Sequence, residues 1–112
     1  MAAIANLTID QGANFNSDVT VKDANGNPFN LSGYTARSKM AKGYESTKTR
    51  VTITSTISTD PASGVVTLSL NSTQTEALDA SRYVYDLEIV SGAGEVTRVI
   101  EGLIQVRPQV TT

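Results

Sequence analysis

Apolar and polar residues alternate along most of this chain, which places side chains of one parity on the buried face of a β-strand. "ANLTID" directs Leu7 and Ile9 to one side, and "NFNSDVTV" does the same with Phe15, Val19 and Val21. "KDANGNPF" then stacks Asn25-Gly26 on Asn27-Pro28, a turn signal whose Asn-Gly suits a tight hairpin loop. In "SGYTARSKMA", Tyr34, Ala36, Ser38 and Met40 share a face that is partly small, which predicts a strand packed close to its neighbour. "KGYESTK" has no pattern and reads as a polar loop. "RVTITSTIS" and "VVTLSL" flank "TDPASG", predicting a hairpin with Val51, Ile53, Ile57, Val66, Leu68 and Leu70 inside.

The alternation breaks at "NSTQTEALDA", where Thr73 and Glu76 stand at capping-box spacing and predict a short helical turn. It returns in "RYVYDLEIV" with Tyr83, Tyr85, Leu87 and Ile89 on one face. "SGAG" is a glycine hairpin loop. "EVTRVIEGLIQVRP" is the longest strand, with a bulge expected near Glu101-Gly102, where the apolar parity shifts. Turns at roughly ten-residue spacing and one helical corner predict an all-β fold, a single immunoglobulin-like antiparallel β-sandwich of about seven strands. "LDASRYVYDLEI" carries that fold's corner spacing, with Asp79, Ser81 and Tyr83 in place and Tyr85 where a cysteine would stand. Tyr83 is the expected tyrosine corner, bonding back to the backbone near Leu78 or Asp79, and Tyr85 fills the space between the sheets.

Composition narrows the chemistry. The 112 residues suffice for one domain, residues 1–112, whose two ends ("MAAIAN" and "RPQVTT") are read as short arms. With no cysteine and no histidine, disulfide frameworks, Cys/His zinc sites, Cys-His dyads and Ser-His-Asp arrangements are excluded. The start has no basic region followed by an apolar run, and no stretch approaches membrane-spanning length, so no membrane partner is expected. A formal charge of −2 argues against nucleic acid as a partner.

Three constellations of polar side chains bear on chemistry. Asp23, Asn25 and Asn27 alternate as the start of a calcium loop does, but lack the bidentate glutamate, which favours a plain hairpin loop. Asp86 and Glu88, with Glu101 across from them, form no glycosidase pair; they read as solvent-face acids with Arg82 and Arg98 as cross-strand partners. No nucleophile with a neighbouring base and no phosphate-cradling loop is present, so neither enzyme activity nor a cofactor is expected. The third is basic: Arg37, Lys39, Lys42, Lys48 and Arg50 gather around a single acid, Glu45. Two readings of it stay open, namely edge protection by lysine on an exposed strand, and a docking patch for an acidic protein surface with Tyr44 as aromatic anchor.

Over nearly its whole length the sequence resembles the small β-sandwich module of tailed-bacteriophage structural proteins, akin to the N-terminal domain of phage baseplate upper proteins. The resemblance is carried by "IDQGANF", "VKDANGNPFNLSGYTARSKM", "GVVTLSLNSTQTEAL" and "RYVYDLEIVSGAGEVTRVIEGLIQV". It implies a non-enzymatic virion part, present in multiple copies and bound to other tail, baseplate or capsid proteins. In the baseplate upper proteins a receptor-binding region follows the module, whereas this chain stops after "RPQVTT". A lone module is expected to be an adaptor on the tail or baseplate, with a capsid decoration protein as the alternative. A carbohydrate-binding module is a further reading, for which Tyr44 is the one obvious platform.

Overall fold

The computed structural model describes residues 3–111. Its strands are β1 (Ala3–Ile4), β2 (Leu7–Asp10), β3 (Phe15–Thr20), β4 (Thr35–Ala41), β5 (Val51–Ile57), β6 (Val65–Leu70), β7 (Arg82–Val90) and β8 (Val96–Arg107). A 3-10 turn at Pro61–Ser63 precedes β6, and helix α1 (Ser72–Glu76) precedes β7. The fold is all-β, an immunoglobulin-like sandwich. Its hydrogen-bonded order is β1-β8-β7-β4-β5-β6-β3, with β2 also on β8.

The first half of β5 pairs with β4 and its second half with β6, so this strand passes from one sheet to the other. All pairings are antiparallel except those of β1 and β2, which run parallel to β8. Lettered as in immunoglobulin domains, β3, β6 and β5 are B, E and D, while β4, β7 and β8 are C, F and G. Between the sheets lie the alternating residues expected from the pattern, including Ile9, Val19, Met40, Ile53, Leu68, Tyr85, Leu87 and Ile104, all buried. Ser38, the buried polar residue of β4, donates its hydroxyl to the Asp86 carbonyl at 2.5 Å.

Several expectations need correction. The capping box uses Asn71 and Gln74 in place of Thr73 and Glu76. Asn71 is extended (φ −83°, ψ 171°); its Oδ1 accepts the Gln74 N–H and Gln74 Oε1 accepts the Asn71 N–H, both at 2.8 Å. The irregularity in β8 falls at Val99, because Leu87 faces Ile100 while Glu88 faces Arg98. Gly102 serves a different purpose. A Cβ there would sit 2.2 Å from the Ala5 carbonyl oxygen, so glycine lets the link between β1 and β2 run close alongside β8.

The N-terminal arm is largely a strand. Ala3 and Ile4 pair with Ile100 and Glu101, the Ala5 N–H donates to the Glu101 carbonyl at 3.0 Å, and Asn6 Oδ1 accepts the Leu103 N–H at 3.0 Å. Met1, Ala2 and Thr112, which complete the two expected arms, lie outside the described residues. The "DANGN" loop folds on itself: Asp23 Oδ1 accepts the N–H groups of Asn25 and Asn27, and Gly26 has φ +81°. Lys22 and Pro28 pair antiparallel around it, so it closes a short local hairpin as expected, while the longer strands on either side, β3 and β4, lie in different sheets.

Candidate docking face

The cations of the basic cluster sit on two elements, β4 and the loop from Lys42 to Arg50. Alternation on β4 sends Ser38 and Met40 inward and leaves Arg37 and Lys39 exposed on the outer face of the sheet. β4 lies between β7 and β5, so it is not an edge strand, and edge protection is not what these cations provide. Opposite them on β7 stand the two acids already singled out: Arg37 faces Glu88 and Lys39 faces Asp86 in register. Arg37 Nε donates to Glu88 Oε1 at 2.7 Å, and from β8 Arg98 approaches Asp86 at 3.3 Å and Glu101 at 3.9 Å. Arg98 is thus a cross-strand partner as expected; Arg82, facing Gln105, makes no ion pair among the described residues.

Burial of Asp86 between neighbouring strands pushes its carboxyl above the ordinary range, and the adjacent Glu88 and Glu101 push the same way. Arg98 opposes this, with a smaller contribution from Arg50. Lys42 is removed from the patch by Asp79, whose carboxylate pairs with it and holds its ammonium above the usual lysine range. That pair ties the end of β4 to the corner before β7. At the same corner the Tyr83 hydroxyl accepts the Asp79 N–H at 3.0 Å, while the ring is buried.

Arg50 acts on the loop itself. Its guanidinium donates to the carbonyls of Glu45 at 2.8 Å, Lys48 at 3.0 Å and Tyr44 at 3.0 Å. Three backbone acceptors from one turn of chain, gathered on one planar donor, give this unpatterned loop a defined shape. The loop presents Tyr44, which is 63% exposed; among the described residues it is the one exposed aromatic. Beside it is a groove of about 340 Å³ whose walls include Arg37, Lys39, Arg50, Asp86 and Glu88. Lys48 does not line it. Arg37, Lys39, Tyr44 and Arg50 are therefore brought together, whereas Lys42 and Lys48 are set aside.

The alternation had no means of showing that Asp86 and Glu88 share this groove, since register across strands is not written in either strand alone. The apolar row Val84–Leu103 on the same face was missed for the same reason. Tyr85, on the inner side of β7, donates its hydroxyl to the Ala5 carbonyl at 2.6 Å. Burial pushes its phenol up to about 12.

No protein-family model matches the chain, and no curated protein is similar to it. Among solved structures it is similar to the Lin-41 filamin domain, with 18% identity and a TM-score of 0.47, over 89% of this chain and 82% of that one. Among the described residues no three acids gather to hold a metal ion, and no helix is long and apolar enough to cross a membrane.

Proposed function

We propose that this chain is a non-enzymatic structural module of a tailed-phage particle, docking on a neighbouring virion protein through the outer face of β4 and β7. The observation that carries the docking reading is Tyr44, an exposed aromatic on a loop that Arg50 fastens, set at the mouth of a groove with charged walls. Interfaces concentrate their binding energy in such aromatic anchors, and a fastened loop loses little entropy on binding. The phage context comes from the sequence resemblance to the baseplate upper module. Tail or baseplate is the favoured position, with capsid decoration as the alternative. Many copies on one particle make a modest single contact sufficient.

Antibody-gold electron microscopy of particles from the same source tests the reading. Label at the tail or its tip supports the adaptor; label over the heads makes the chain a decoration protein; particles without label overturn the virion assignment. Tyr44→Ala and Lys39→Glu are expected to lower incorporation several-fold without changing the fold.

A further inference from the structure

Outward side chains of the larger sheet fall into rows that cross its strands. Val84 and Leu103 make an apolar row, with the buried Ala41 in register on β4, followed by Lys39, Asp86 and Glu101, and then by Arg37, Glu88 and Arg98. Within the two charged rows the signs on β4 and β7 sort by strand. β4 contributes Arg37 and Lys39, both cationic; β7 contributes Asp86 and Glu88, both acidic. Apart from Val110 near the C-terminus, the exposed large apolar residues stand on or beside the same face. Leu103 and Val96 face outward on β8, Ile4 stands in register with Glu101, and Tyr44 overhangs the groove.

We infer that this face pairs with the same face of a second copy of the chain, about a two-fold axis running along the seam between β4 and β7. Such a rotation keeps the rows and exchanges the columns. Lys39 then lies over Asp86 of the second copy and Arg37 over Glu88, and each contact occurs twice, as an isologous interface requires. The alternative axis, across the strands and between the two charged rows, sets Lys39 on Arg37 and Asp86 on Glu88, and like charges reject it. Charge complementarity of the face with itself therefore selects both the partner and the axis. The inference rests on the reading of this face as an interface and names its occupant.

Strands about 4.8 Å apart, with a rise of about 3.4 Å per residue, give this face on the order of 400 Å². That is below the ~800 Å² per partner of a standard interface, so the pairing is weak and concentration-dependent. Sedimentation equilibrium over a wide range of concentration reads it directly. The wild-type mass is expected to rise from 11.8 kDa towards twice that value, less so at about 0.5 M salt, where exposed charges are screened. Lys39→Asp alone and Asp86→Lys alone are each expected to stay monomeric, because each sets like charges against one another across the axis. Mixed in equal amounts they are expected to restore the dimer, since each supplies the charge that the other lacks.

Far-UV circular dichroism checks that the variants fold. Should Asp86→Lys not fold, the pair Arg37→Glu and Glu88→Lys makes the same test one row along. A wild type that stays monomeric throughout, single reversals that still dimerise, or a mixture that does not recover the dimer would each overturn the inference. The virion reading fails separately. A solution dimer from a chain absent from particles leaves the pairing intact, and a monomer whose Tyr44 and Lys39 variants still lose incorporation leaves the docking face for another virion protein.

Discussion

Tyr83 and Tyr85, two residues apart on β7, hold different parts of the molecule with the same functional group. The Tyr83 hydroxyl accepts the Asp79 N–H and fixes the corner, while the Tyr85 hydroxyl donates to the Ala5 carbonyl and fixes the N-terminal strand. Tyr83→Phe is expected to cost about 1 kcal/mol in chemical denaturation, the usual net worth of a buried hydrogen bond; unchanged stability would remove the corner role. Tyr85 also sets a pH limit. Its phenol is pushed from the ordinary value of 10.0 up to about 12, so the folded chain holds this proton more tightly than the unfolded one. The associated stability is fully present below pH 10 and is lost as pH rises through about 12. Ultraviolet titration should find Tyr85 ionising with the unfolding transition at high pH, and Tyr85→Phe should abolish that step.

At the scale of elements, Gly102 and Arg50 are the positions where small changes should travel furthest. Gly102→Ala puts a Cβ against the Ala5 carbonyl, and shifting backbone to relieve it is expected to cost about 1–3 kcal/mol. Hydrogen exchange should show the Ala5 amide losing protection ahead of the core of β7. Arg50→Ala removes the guanidinium that donates to the Tyr44, Glu45 and Lys48 carbonyls of the exposed loop. Its thermal stability should change little, while backbone relaxation measurements show the Tyr44 loop becoming mobile on the nanosecond scale. The strands were legible because nearly every one has a wet face and a dry face, so Tyr83, Tyr85, Leu87 and Ile89 announce β7 by themselves. The cap was ambiguous because Asn71-x-x-Gln74 and Thr73-x-x-Glu76 both fit the spacing; the extended backbone at Asn71 and the bond from Ser72 N–H to Asn14 Oδ1 decide it. Gly102 resembled a bulge marker, yet its meaning lies in a residue 97 positions earlier in the chain.

For the whole molecule, the open question in the sequence was the place of β4. Alternation says which face of a strand is wet and nothing about its neighbours, so an interior strand with exposed Arg37 and Lys39 reads the same as an edge strand. Once β4 stands between β7 and β5, its cations lie beside the acids of β7 and the face becomes complementary to itself. Adding salt is expected to weaken the docking of this face, on a second copy or another protein, far more than it weakens the fold, whose core is apolar. A melting temperature steady across salt, with an association constant falling over the same range, is the expected pairing of results.

The parallel pairing of β1 and β2 with β8 also decides how the domain carries load. A pull applied at residue 3 and at residue 107 draws the two strands in opposite directions along their length. The backbone bonds between Leu7–Asp10 and Ile104–Arg107 are then strained together in shear, whereas a hairpin pulled at its open end unzips one bond at a time. The Tyr85–Ala5 bond and the close approach of Ala5 to Gly102 lie along the same line and resist the same slip. A tether attached through these ends would hold against a steady pull and then give way abruptly, a mechanical fuse formed by two short strands.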